Sequence, residues 1–381
     1  MRDRPLTLLA AAPAPQLGGA EAMLYRVLAA AVEAEWSVTC AAPAGPLADQ
    51  LRHAAVEVLD VPPLMASSGV ASAPLLAQRC LRWAAAVSRV PDVDVLVVNG
   101  LLPLLPIRLL APRCAVVLYA HDVVVRPRKK GILKLAGPCL DLAVCVSDSV
   151  AEPLRSLGVE CRVVRNAPEP ARTPVRPPAE RPYIVGCNAA LTPWKGQDVL
   201  LDAVAALPDR SLVVEILGAA FPNRTDRAFE VRLRRRADRA DLRGRVRFLG
   251  HRSDAFSIMG RWRLAVSASV EPEASGLAVL EAMSIGLPLV CTSQGGPVEV
   301  LGQAGVLMPP RDSVAMSAAI QELLTDEDHW HRASAAGPLI IAQSHTIQNQ
   351  VEGFLSALSD VAHEGAVCGR LLHVGSRHRR A

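Results

Sequence analysis

The sequence predicts an α/β protein made of two Rossmann-like domains, each built on a parallel sheet. Three observations carry this expectation. The chain has 381 residues, more than one ordinary core accommodates. Short β-type runs alternate with helical patterns through both halves, the order that gives parallel strands with crossover helices on both faces. Between the halves, residues 167–182 read APEPARTPVRPPAERP, and no helix or central strand tolerates that many prolines. This segment is the expected linker between a first domain over 1–166 and a second over 183–340.

Taken in order, PLTLLAAA is the first strand. It is short, follows Arg2 and Arg4, and gives way to a helical pattern over 20–34, so it reads as a core strand and not as a secretion signal. SVTCAAP, VDVLVVNG and CAVVLYAHD supply further strands, and LDLAVCVS, the helical SDSVAEPLRSLG and ECRVVRNAP close the half. The second half restarts with YIVGCNAAL and a helix over 197–206. LVVEILG, an Arg-rich helix over 227–240, RVRFLG and WRLAVSAS follow, and VLMPP with a helix over 313–324 ends it. One more helix runs from about 341 to 362, and 363–381 reads as a flexible tail. In open α/β sheets ligands bind beyond the carboxyl ends of the strands, so two facing domains predict a site in the cleft between them.

Composition narrows the class. Hydrophobic residues make up 51% and aromatic ones 3%, and 41 basic residues stand against 37 acidic ones, for a net charge of +4. That balance, with no aromatic-basic module, excludes a dedicated nucleic-acid binder. Nine cysteines are scattered without a C-x-x-C pair, mostly in apolar runs, which predicts reduced core residues of a cytoplasmic protein. No run reaches the length of a membrane-spanning helix, so membrane contact is at most peripheral. A G-x-G-x-x-G fingerprint is absent, which argues against a dehydrogenase.

The most informative stretch is 273–299, EASGLAVLEAMSIGLPLVCTSQGGPVE. A loop turning into a helix at Gly276 aims the amides of Ser275, Gly276 and Leu277 and the positive helix end at one point, a ready anion site. Glu281 sits more than a turn further in, placed for the hydroxyls of an attached sugar, and Glu273 lies on the loop before it. Amides for a diphosphate with a carboxylate on each side suit a nucleotide sugar.

With its E-x(7)-E, A-M-x-x-G-x-P-x-V and G-G-x-x-E strings, this stretch resembles the donor-binding segment of family 4 glycosyltransferases, retaining enzymes of the GT-B fold. Three further matches extend the resemblance over almost the whole chain. Gly18 and Gly19 belong to a G-G-A-E that faces the donor phosphates and sugar in the family. His121, with Asp122 behind it, follows a strand as the family's sugar-contacting histidine does, where a neutral imidazole is also fit for proton transfer. LTPWKGQDVLL matches L-x-x-x-K-G-x-x-x-L, in which Lys195 meets the donor diphosphate. The chain also departs from the pattern. Ala190 replaces a usual arginine, so either helix N-termini and Arg165 compensate or donor affinity is low; Ser275 replaces an aromatic; and RNAPEP at 165–170 lacks the glycine and aspartate of P-N-G-V-D.

The resemblance implies a metal-independent, retaining hexosyltransferase without a bound cofactor. Its co-substrate would be a nucleoside diphosphate sugar, UDP-linked by expectation. Its acceptor would be a small-molecule or lipid-linked hydroxyl, anionic ones included, in natural-product or cell-envelope glycoconjugate synthesis. Glu281 would hold the ribose hydroxyls, Glu273 the transferred sugar, and Lys195 with the loop amides the departing diphosphate, while His121 would face the sugar. The same fold also admits a nucleotide-sugar epimerase or a non-catalytic partner subunit. Acceptor choice is expected in first-domain loops at roughly 62–75 and 100–135. The basic run RPRKKGILK (126–134) reads as a solvated loop within them, though it could meet an acidic acceptor or membrane surface. No metal constellation is predicted: Asp92 and Asp94 open a strand, and Asp326, Asp328, His329 and His331 read as a surface turn.

Overall fold

A computed structural model of the chain describes residues 4–64, 73–110, 112–124, 126–170 and 181–375. Residues 65–72 of the expected acceptor loops, 171–180 of the linker and 376–381 of the tail lie outside them. The chain forms two compact units, Met1–Arg165 with Gln348–Ala381, and Asn166–Ile347.

The first unit holds a parallel sheet of β1 (Thr7–Ala11), β2 (Ser37–Ala42), β3 (Glu57–Asp60), β4 (Val95–Asn99), β5 (Ala115–Ala120), β6 (Leu142–Cys145) and β7 (Cys161–Val163). Their order is β3-β2-β1-β4-β5-β6-β7. The second unit repeats the plan with β8 (Ile184–Asn188), β9 (Val213–Leu217), β10 (Val246–Gly250), β11 (Leu264–Ser267), β12 (Leu289–Thr292) and β13 (Gly305–Met308), ordered β10-β9-β8-β11-β12-β13. The central strands are apolar on both faces (β4 and β5 are buried throughout) because helices cover both sides of a parallel sheet. In the second unit Leu200, Leu201, Ile320 and Leu323 pack one face, and Trp262, Leu280 and Met283 the other. Each sheet reverses its winding once, between β1 and β4 and between β8 and β11. Ligand sites of open α/β sheets lie beyond the carboxyl ends of the strands at that reversal.

Three stretches differ from the sequence expectation. The basic run is a helix, Pro127–Ala136, not a loop: Pro127 takes the first turn, where its missing N–H costs nothing and its fixed φ suits the helix. The turn expected around 326–331 starts a long helix, Glu327–Ser344, whose N-cap Asp326 accepts a hydrogen bond from the His329 amide at 2.8 Å. Gly337 and Pro338 lie inside it, and Gly337 allows Met283 backbone to approach. The last helix runs Ile347–Gly375, beyond 362 where a tail was expected. No helix among the described residues is long and apolar enough to cross a membrane.

Candidate functional site

In the second unit, the residues singled out by sequence gather at the ends of β8 and β11. Gly196 takes the left-handed conformation (φ 66°) that ends the short turn Pro193–Lys195 and opens the helix Gln197–Ala206. A Cβ there would strike the Ala268 carbonyl, so only glycine lets the Lys195 turn sit against the chain leaving β11. Lys195 Nζ lies 2.9 Å from Glu273 Oε1 and 4.2 Å from the centroid of the Trp194 ring.

Glu273 is 9% exposed, and its Oε1 also accepts hydrogen bonds from Ser267 Oγ (3.2 Å) and Ser269 Oγ. Burial pushes this carboxyl up, but the Lys195 charge and the bonds from Ser269, Lys195 and Ser267 outweigh it and hold the group below its ordinary range. Its backbone is pinned as well, since its carbonyl accepts from the Gly296 amide at 2.8 Å. Glu273 is therefore a fixed carboxylate. Ser267 and Ser269 were not anticipated, although alternation along a strand places residues two apart on one face, so the S-x-S of VSAS carried the signal.

Beyond Glu273 the chain enters the helix Leu277–Ser284 through Gly276, whose φ of 62° makes it a left-handed N-cap. This helix start has neither a side-chain cap nor an acidic residue in its first turn. Helix-start amides that no capping side chain answers suit an external anion. Ser275 Oγ accepts from Asn166 Nδ2 at 2.9 Å, a partner that sequence reading left without a role. Glu281 accepts from Asn188 Nδ2 at 3.2 Å, and burial, with the nearby Glu169 charge, raises its carboxyl to about 7. The cavity beneath Lys195 and Glu273 measures about 20 Å³, so these groups are packed tightly. The Ala190 carbonyl accepts from Gln197 Nε2 at 2.8 Å, and Arg165 meets Asp148 at 3.7 Å.

The first unit holds the other predicted residues. Gly18 caps the helix Gly19–Glu33, and here the helix start is already answered. The Glu21 carboxylate turns back to accept from the Gly18 and Glu21 amides; burial still raises it, and Asp122 adds to the rise. Of the anion site read from sequence at Gly18 and Gly19, the Gly18 amide is thus engaged by the chain's own carboxylate. His121 follows β5, with its ring 3.9 Å from that of Tyr119, which in turn meets Phe354 at 4.6 Å. Burial lowers its imidazole to about 4, the Asp122 charge opposing only weakly, so it is neutral at pH 7. Its Nε2 is buried without a protein partner, as is Asn99 Oδ1 at the end of β4. Asp122 pairs with Lys129 at 3.0 Å.

Among the described residues no group of three or more His, Cys, Asp or Glu side chains could hold a metal ion. The acidic clusters noted in the sequence have structural duties: Asp94 bonds Arg4 and the Thr7 amide, Asp326 caps a helix, and His329 meets Glu322.

Two family models match the chain, Glycosyltransferase Family 4 over residues 17–172 and Glycosyl transferases group 1 over 171–339. Curated relatives include two proteins of Corynebacterium glutamicum. A GDP-mannose-dependent monoacylated alpha-(1-6)-phosphatidylinositol monomannoside mannosyltransferase is 31% identical over 40% of this chain and 41% of its own length. A D-inositol 3-phosphate glycosyltransferase is 33% identical over 38% and 36%. The matches thus span less than half the length of these relatives. Among solved structures, Anabaena HepE in complex with UDP and glucose superposes with a TM-score of 0.77 at 22% identity, covering 93% of this chain and 99% of that one. Sucrose-phosphate synthase from Thermosynechococcus elongatus gives 0.74 at 17% identity, covering 97% and 100%.

Proposed function

We propose a function that proceeds from one premise: the chain belongs to glycosyltransferase family 4 and has the GT-B fold. It moves a sugar from a nucleoside diphosphate sugar, UDP-linked, to an acceptor hydroxyl, with retention and without a metal. In the transfer, the acceptor oxygen bonds to the anomeric carbon while the bond from that carbon to the diphosphate oxygen breaks. The bonding pair leaves with the nucleoside diphosphate, which takes up the acceptor's proton. The observation that carries this reading is the uncapped, left-handed entry to the helix Leu277–Ser284, set beside a buried lysine–glutamate pair.

The amides of Ser275, Gly276 and Leu277, with Lys195, hold the diphosphate and stabilise the charge that grows on it as the bond breaks. Glu273, a fixed carboxylate, faces the positive charge that develops on the sugar ring. Glu281 accepts hydrogen bonds from the ribose hydroxyls, a role that needs its ionised form. His121, neutral and stacked on Tyr119, presents Nε2 to a hydroxyl. Of the residues carried over from the family, Gly18 contributes backbone shape, its amide being engaged by Glu21, and the Gly19 amide faces the donor. The UDP preference draws support from the nucleotide held by Anabaena HepE, while the GDP-mannose-dependent relative makes GDP the comparison to run.

Calorimetry with UDP, GDP and UDP-glucose, with and without EDTA, tests the reading. Saturable UDP binding that EDTA leaves unchanged and Glu281→Gln weakens is the expected result. Binding that requires a divalent ion defeats the metal-independent reading, and no binding by any nucleotide defeats the transferase reading in favour of a non-catalytic subunit.

A further inference from the structure

The first unit contains a cavity of about 840 Å³ beside β4 and β5, lined by Glu21, Asn99, Leu101, Leu102, His121 and Ile132 among others. This lies within the range of about 300–1,000 Å³ typical of small-molecule sites. Two of these residues come from neighbouring parallel strands: Asn99 ends β4 opposite Tyr119 of β5, and His121 is two residues further on. Asn99 is 3% exposed, and among the described residues its Oδ1 has no hydrogen-bond partner; nor does Nε2 of His121. A buried polar atom left unpaired costs about 1–3 kcal/mol, so two in the lining of one cavity call for a ligand that answers them.

The chemistry of that ligand follows from the lining. Asn99 Oδ1 can only accept, so the group facing it must donate. Beside it the wall is aliphatic, made by Leu101, Leu102, Pro127 and Ile132, with no aromatic side chain other than the histidine on which a sugar ring could stack. Among the described residues the charges of the lining balance: Glu21 and Asp122 stand against Arg126 and Lys129, and Lys129 is joined to Asp122 at 3.0 Å. A phosphorylated or otherwise anionic acceptor therefore meets no net attraction here, and a polyol finds too few polar partners for its hydroxyls.

We propose that this cavity takes a neutral alcohol or phenol with an apolar carbon skeleton, oriented by a hydrogen bond from its hydroxyl to Asn99 Oδ1. The proposal rests on the transferase reading for calling that molecule the acceptor. It makes Asn99 a specificity-determining residue, and it narrows the acceptor from any hydroxyl compound to an apolar aglycone. The apolar wall supplies affinity and the hydroxyl contact fixes which end of the molecule reaches His121.

The test is a fluorescence titration of the full chain with 2-naphthol, a phenol that is neutral at pH 7, with UDP calorimetry on the same samples. Wild type is expected to bind 2-naphthol saturably. Asn99→Leu, of similar volume but without the acceptor atom, should bind at least about tenfold more weakly. Ile132→Glu, which puts a charge on the apolar wall from a half-buried position, is expected to do the same and guards against misfolding of the Asn99 variant. UDP binding should survive in both. Absence of 2-naphthol binding, equal binding by wild type and both variants, or displacement of the probe by myo-inositol 1-phosphate would each overturn the proposal. If wild type binds no UDP the transferase reading falls, and the naphthol titrations still decide what the cavity takes.

Discussion

In the second unit the buried Glu273 carboxylate is met by Ser267, Ser269 and Lys195 around a cavity of about 20 Å³. In the first, the buried His121 imidazole stacks on Tyr119 and leaves Nε2 unpaired in the lining of a cavity of about 840 Å³. The helix starts differ in the opposite sense: Glu21 engages the Gly18 and Glu21 amides, and no acidic residue does so in the first turn behind Gly276. On the proposed reading, one unit fixes its charged side chains and leaves backbone amides for an anion. The other spends part of its helix start internally and leaves neutral side-chain atoms for a hydroxyl. If so, a shared fold assigns ionic and neutral recognition to different parts of the same structural position, the carboxyl ends of the central strands.

The largest effect should come from breaking the ionic half. Lys195→Met strands a carboxylate that burial already opposes, and removing one member of a buried pair costs about 3 kcal/mol or more. Pairing it with Glu273→Gln removes the stranded charge, so the double variant should regain most of that stability while UDP affinity stays at least about tenfold down. Urea unfolding and UDP calorimetry on the three variants separate the roles. Equal stability of the single and double variants would show that the pair is not coupled.

Acidity sharpens the comparison, because the two units respond with opposite sign. His121, held near 4 against an ordinary value of 6.5, binds fewer protons folded than unfolded, so its contribution rises with pH between about 4 and 6.5. Glu281, raised from 4.5 to about 7, binds more protons when folded, so its contribution falls as pH rises through that window. Each effect is worth up to about 3 kcal/mol, less where the group reaches solvent. Unfolding measured at several pH values between 4 and 7.5 should show a gentler acid loss for His121→Gln and a gentler loss toward neutrality for Glu281→Gln. UDP affinity of the wild type should climb with pH through about 7, and the Glu281 variant should lack that climb. Slopes of the same sign in the two variants would undo the contrast.

Much of this was legible in the chain. Strands such as β1 and β8 are short apolar runs that parallel sheets require, and Lys195, Glu273, Gly276 and Glu281 stand in strings that match the family's motifs. The helix Glu327–Ser344 was hidden because Asp326, Asp328, His329 and His331 read as a surface turn, and only the fold shows that Gly337 inside it is where Met283 backbone comes close. The charge of the basic run likewise reads as a solvated loop, whereas Pro127 at its start suits a helix's first turn. The partners of the motif residues were harder still. Asn188 beside Glu281, Asn166 beside Ser275 and Asn99 beside His121 are brought together by the tertiary fold, which local pattern does not encode.

A smaller effect should follow from loosening His121 at a distance. Gln350, on the last helix, accepts from Arg26 Nη1 at 2.7 Å and donates to Tyr119 Oη at 3.3 Å, and the Tyr119 ring carries His121. Gln350→Leu removes both bonds from a buried place, costing about 1–2 kcal/mol. It should weaken 2-naphthol binding and leave UDP binding alone, which would confine the last helix's influence to the neutral half. An equal loss of UDP affinity would break that separation.

The smallest effect concerns two left-handed glycines, one in each unit. Gly158 has φ 79° with nothing near a new Cβ, whereas Gly276 has φ 62° with Pro297 and Val279 at 3.2 and 3.3 Å from one. Alanine at either site pays about 1–2 kcal/mol for the backbone conformation alone. The difference between Gly276→Ala and Gly158→Ala in urea unfolding therefore isolates the crowding at the helix entry, expected below about 1 kcal/mol because the contacts are only slightly tight. UDP affinity then decides what the entry is for. If its amides hold the diphosphate, Gly276→Ala loses affinity out of proportion to that small difference, because a shifted turn re-aims the donors at Ser275, Gly276 and Leu277. If UDP binding is unchanged in a folded Gly276→Ala protein, those amides do not form the anion site, and the ionic half of the comparison rests on Lys195 alone.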